Sequence, residues 1–201
     1  MVQNRDCGVL WHSRPMALKA TVCKAAVQLA DVDRAIYCDC QVTLARHPSE
    51  TDERMMVRLL AFALNVPGEE RDGALEFAKG MWDPDEPELW QKDLTGRIVQ
   101  WIEVGQPEER RVTKASGRSD RVTVYAFGSN AQAWWAALAG RADRAGNVDA
   151  WLVPAEQSRA LALLAERSMQ LQINRQDGIV WVADGERSVE LHPRRVSAER
   201  R

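Results

Sequence analysis

Four polar side chains stand where their surroundings favour something apolar or neutral. Glu103 lies near the end of the apolar run IVQWIEV (98–104), which reads as a core strand. Glu53 falls in line with Met56, Val57, Leu60 and Leu64 when residues are set at about 100° intervals around a helix. Asp85 follows Pro84 in WDPDEPELW, and Lys114 follows Arg110 and Arg111 in PEERRVTKAS. A carboxylate inside a protein is expensive unless it is paired or holds a metal. Two or three converging at the end of a strand form a hard oxygen site suited to Mg2+ or Mn2+. Such an ion polarises a phosphodiester and acidifies a bound water. A lysine beside the scissile phosphate orients that water or neutralises developing charge.

Each of these residues also has a plainer reading. Glu103 can form an ion pair with Arg110 or Arg111. Asp85 can simply end a loop, because Asp-Pro clusters are turn signals. Glu86 and Glu88 compete with Asp85 as ligands, and Glu50 stands about one turn before Glu53. An acidic residue in a first helical turn is favoured by the helix dipole alone. Arg110, Lys114 and Arg118 recur every four residues, as phosphate contacts or as a solvated helix face. Trp134, Trp135 and Trp151 are candidate base-stacking residues. Neighbouring tryptophans on a helix diverge by about 100°, so one of the first two is expected in the core. His47, before Pro48, reads as a locally bonded loop histidine.

The elements that must position these residues are legible from periodicity. Residues 17–46 alternate as two strands around the turn Asp31–Arg34, an N-terminal hairpin. HPSETDERMMVRLLAFAL starts a helix, with Ser49 as N-cap and Asp52 three residues on. ALEFAKGMW, PELWQKD and RIVQWIEVG read as three strands, the last apolar on both faces as in a covered sheet. Pro107 suits the first turn of a helix running to Ser116 and stopping at Gly117. RVTVYAFG is another buried strand, followed by a helix near Asn130, a strand VDAWLVP and the helix PAEQSRALALLAERS. A C-terminal β-meander turns at Asp177-Gly178 and Asp184-Gly185, and residues 193–201 read as a charged tail. The expected class is α/β with a mixed central sheet.

The chain has 201 residues, enough for one domain with a core that needs no disulfide or metal staple. A formal net charge of −2 excludes a wholesale electrostatic nucleic-acid trap and requires any such contact to be local. The four cysteines lack CxxC spacing, and Cys38 and Cys40 share one strand face as small hydrophobes rather than zinc ligands. No apolar run approaches the roughly 18 residues of a membrane span. Residues 1–15 lack a signal-peptide core and read as an extension upstream of a domain over 16–192. The expectation is a cytoplasmic protein with no membrane partner.

MALKATVCKA, LARHPSETDERMMVRLLAFAL, DEPELW, WIEVGQPEERRVTKA, WW and LQINRQDGIVWV, in colinear order over 16–192, resemble the YaeQ family of bacterial proteins. The resemblance implies a restriction-endonuclease-like core of helix, three strands, helix and strand, as a variant of the PD-(D/E)XK nuclease superfamily. It implies a nuclease or phosphodiesterase acting on DNA or RNA. Pro84-Asp85 then resembles the PD element, Glu103 the second acidic position and Glu53 the acid of the first core helix, together binding Mg2+ or Mn2+. The usual lysine two residues after Glu103 is replaced by Gly105. Lys114 would supply the ammonium from the next helix, Gln106 would contact water or phosphate, and Arg110, Arg111 and Lys114 would face nucleic acid. The alternative is a non-catalytic module of the same fold that binds nucleic acid or protein.

Overall fold

The computed structural model describes residues 20–69 and 73–197; the extension and the outermost part of the expected tail lie outside them. Strands β1 (Thr21–Asp31) and β2 (Ile36–Arg46) form the N-terminal hairpin. Their alternate residues Cys23, Ala25, Val27 and Leu29, with Val42 and Leu44, are buried, while the intervening side chains face solvent. Cys38 and Cys40 share the inward face and pack against the core. The C-terminal meander β8 (Ser168–Gln176), β9 (Ile179–Ala183) and β10 (Ser188–Leu191) joins this hairpin through parallel pairing of β8 with β1.

The second sheet holds β3 (Ala74–Phe77), β4 (Leu89–Lys92), β5 (Ile98–Val104), β6 (Arg121–Phe127), β7 (Val148–Val153) and β11 (Arg194–Ser197). Their spatial order is β11-β7-β6-β5-β4-β3, parallel across β5–β6–β7 and antiparallel elsewhere. The structure thus holds two mixed sheets, because the expected hairpin and meander pair with each other and form a sheet of their own. Strand patterning explains the split: the first sheet alternates because one face is wet, whereas β5 and β6 are nearly continuously buried because both faces are covered.

Helix α1 (Asp52–Asn65) lies between the sheets, in one core with residues from both. It is consequently buried almost all round rather than along a single stripe. Helix α4 (Ala155–Ala162) packs beside it, whereas α2 (Glu109–Ser116) and α3 (Ala131–Ala145) cover the other face of the second sheet. Starting at α1, the chain order is helix, three strands, helix, strand. Four details depart from the sequence reading. The α1 N-cap is Thr51, whose hydroxyl accepts from the Arg54 amide, not Ser49. Helix α2 begins after Glu108, and the strand expected through Trp82 ends at Phe77 before a short helical turn, Gly80–Trp82. Residues 194–197 of the expected tail pair with β7 as an edge strand.

Candidate functional site

Strand alternation decides where Glu103 goes. Ile102 and Val104 point into the core around α1, so Trp101 and Glu103 point to the α2–α3 side. Glu103 is only 2% exposed. Its Oε1 accepts from Trp101 Nε1 at 2.8 Å and from Arg111 Nε at 2.7 Å. The same guanidinium gives Nη1 to the Pro84 carbonyl at 2.9 Å and Nη2 to the Glu86 carbonyl at 2.7 Å. Arg111 thus bridges the end of β5 to the loop that carries Asp85. One turn further along α2, Lys114 Nζ is ion-paired with Asp85. Burial pushes the Glu103 carboxyl above its ordinary range, and the Arg111 charge only partly offsets this. The Lys114 bond and charge hold Asp85 below its ordinary range.

A second pair of carboxylates lies on the opposite face, at the start of α1. Glu50 and Glu88 are 3% and 1% exposed, and two α1 arginines lie between them. Arg54 gives Nη1 to Glu50 at 3.1 Å and Nη2 to Glu88 at 2.5 Å, and reaches the Val104 carbonyl at 3.3 Å. Arg58 bonds the other Glu50 oxygen at 2.9 Å and the Ala45 carbonyl at 3.2 Å. Burial works against the charge of Arg54, but the Glu88 and Glu50 carboxylates outweigh it and raise its pKa. Gly80, at φ +51°, passes so close that a β-carbon there would lie 2.4 Å from Glu88 Oε2.

The predicted residues are therefore only partly brought together. Asp85, Glu103, Arg111 and Lys114 share one neighbourhood. Glu53 does not join it: its carboxylate accepts from the Ser158 hydroxyl of α4 at 2.6 Å, on the α1 side of the sheet. Gln106 donates to the Phe127 carbonyl at 2.9 Å and latches the turn after β5 to the end of β6. Glu86 is held by Lys79 at 2.9 Å. Arg110 and Arg118 are exposed and form no ion pair with any described residue. Trp135 packs in the core, and Trp134 donates to the Pro107 carbonyl. His47 Nδ1 accepts from the Ser49 amide, and its ring meets Trp82 edge-on.

The donor set does not fit the divalent ion that the resemblance implies. Among the described residues no group of three or more His, Cys, Asp or Glu side chains is arranged around one point. The guanidinium of Arg111 already bonds Glu103 and the Asp85 loop, and Lys114 neutralises Asp85 itself. Two carboxylates meet two cations, leaving no excess negative charge to attract a third cation.

The sequence profile of the YaeQ protein family matches residues 16–193. The chain belongs to the YaeQ family. It is 40% identical over 178 residues to YaeQ of Escherichia coli K12, covering 88% of this chain and 96% of that protein. YaeQ of Salmonella typhi is 41% identical over 177 residues, with 88% and 95% coverage. The crystal structure of YaeQ from Xanthomonas axonopodis pv. citri matches with a TM-score of 0.83 at 42% identity, covering 90% of this chain and 99% of that one. YaeQ from Pseudomonas syringae gives 0.81 at 37% identity, with 90% and 98% coverage. The two-sheet architecture is thus a bacterial YaeQ fold.

Within this YaeQ chain, three participants escaped the sequence reading. Arg54 and Arg58 stand at spacings of four and eight from Glu50, a signal of ion pairing that the apolar stripe of α1 obscured. Trp101, two residues before Glu103 on one strand, shares its face and supplies the indole proton.

Proposed function

We propose that this YaeQ-family chain is a non-catalytic nucleic-acid-binding module built on a restriction-endonuclease-like core. The order helix, three strands, helix, strand supports the core assignment. One observation carries the functional part: the Arg111 guanidinium ties Glu103 to the Asp85 loop, where a nuclease of this type would need a metal ion. An organic cation built into α2 gives the acidic residues a structural role. The exposed Arg110 and Arg118, with Lys114 between them, form the face that would meet phosphates.

The test has two arms. Single- and double-stranded DNA and RNA are incubated with the protein and Mg2+ or Mn2+, and binding is measured by fluorescence anisotropy as salt is varied. Binding without cleavage supports the reading. Replacing Arg110 or Arg118 by alanine should weaken binding across sequences and lower the salt slope by about one each. Metal-dependent cleavage that disappears in Glu103→Gln would overturn it in favour of a nuclease using Asp85, Glu103 and Lys114. No binding at low salt would overturn the nucleic-acid role and leave a protein-interaction module.

A further inference from the structure

A second polar feature lies away from Glu103, where the first-sheet turn after β1 meets the second sheet at the C-terminal end of α1. Two cavities of about 500 Å³ and 170 Å³ adjoin there. Arg34, Asn65 and Arg121 line both, and Thr123, Tyr125 and Arg195 line the smaller one. Arg121, Thr123 and Tyr125 alternate along β6 and so share one face.

The hydrogen bonds here run in one direction. Arg121 Nη2 donates to Gln100 Oε1 at 2.7 Å. The Gln100 amide donates to Asn65 Oδ1 at 2.8 Å and to Thr123 Oγ1 at 3.0 Å. The Asn65 amide donates to the Tyr125 hydroxyl at 2.7 Å. Both hydroxyls therefore accept an amide proton, and neither gives its own proton to a described residue. Tyr125 is 1% exposed, and burial pushes its pKa up to about 12, so it stays a donor.

The charges are arranged to match. Arg34 is paired with Asp31 and bonds the Ala63 and Val66 carbonyls that end α1. Arg175 is paired with Asp31 and Asp33, and Arg195 with Asp149. Asp93, lining the larger cavity, accepts from Thr95 and from the Arg97 amide. Among the described residues, Arg121 alone of the lining arginines has only a neutral partner, an amide held in place by the buried network. A guanidinium and two hydroxyls with protons to give, all on one strand face, demand an acceptor that brings negative charge.

We propose that this cleft binds a small phosphate ester, with the phosphate on Arg121, Thr123 and Tyr125 in the smaller cavity and the esterified group in the larger one. A guanidinium suits phosphate because its planar fork offers paired donors. The site lies on the opposite face of β5–β6 from Glu103 and does not rest on the nucleic-acid reading.

Calorimetry and thermal unfolding of the full chain test this, with inorganic phosphate, ribose 5-phosphate and ribose at matched ionic strength in chloride. Phosphate and ribose 5-phosphate should bind and raise Tm, whereas ribose should do neither. Arg121→Ala should weaken phosphate binding about 10- to 100-fold, the usual effect of losing a hydrogen bond to a charged group. Tyr125→Phe keeps the ring and should weaken it about 5-fold or more. The proposal is overturned if phosphate stabilises no more than chloride. It is equally overturned if Arg121→Ala, confirmed as folded by circular dichroism, binds phosphate like the wild type.

Discussion

Replacing Arg111 by alanine removes at once the Glu103 ion pair and the two bonds that hold the Pro84 and Glu86 carbonyls. Breaking a buried pair by removing one partner costs about 3–5 kcal/mol, because a charge is left without compensation. Here the Arg111 side chain is 24% exposed, so water can enter behind the truncated residue and relieve part of that cost. A loss of about 2–3 kcal/mol is expected. With a urea slope of about 1–3 kcal/mol/M for a small domain, the unfolding midpoint should fall by roughly 1–2 M. Glu103→Gln keeps an acceptor for Trp101 and for Arg111 but removes the charge, so the double variant should lose less than the sum of the single losses. The expected coupling is about 2 kcal/mol.

The pH dependence sharpens this test. Glu103 already has its pKa raised by burial, and losing Arg111 raises it further. A folded state that retains a proton released by the unfolded chain is destabilised as pH rises through the window between the two pKa values. The penalty of Arg111→Ala should therefore be largest near neutral pH and shrink towards pH 5. Additive single and double variants within about 0.5 kcal/mol, or a penalty independent of pH, would refute the view that Arg111 neutralises Glu103.

Four further outcomes follow from the same geometry. Mn2+ or Mg2+ should restore part of the stability of Arg111→Ala, where the Glu103 carboxylate and the loop carbonyls are freed, and should leave the wild type unchanged in thermal unfolding. Gly80→Ala should destabilise by about 1–3 kcal/mol, since φ +51° is strained for alanine and its β-carbon would meet Glu88. Lys114→Ala should bring the Asp85 pKa, now lowered by that lysine, back into the ordinary carboxylate range in an NMR titration; in the wild type the ion pair is lost only as pH falls through the lowered value. Ser158→Ala should cost about 1–2 kcal/mol, because Ser158 is fully buried and its hydroxyl is bonded to Glu53.

Local pattern carried much of the architecture. The alternation of β1 and β2, the Asp-Gly turns of the meander and the continuous burial of β5 and β6 are short-range signals, and each appears in the structure. What those signals could not settle was how many sheets the strands make. That depends on β8 pairing with β1 across almost the whole chain, a contact no window of residues records. Likewise, a helix covered from both sides needs apolar residues all round, and on α1 this hid the Arg54 and Arg58 pairs.

For the candidate site, sequence alone determined that Glu103 ends a buried strand and that cations follow on the next helix. Both follow from hydrophobic periodicity, which is local. Only the tertiary structure decided which cation meets which acid. Strand alternation turned Glu103 towards α2 and left Glu53 on the other face of the sheet, against Ser158. A carboxylate's chemistry depends on the few ångströms around its oxygens, and those ångströms are filled by residues far apart in the chain.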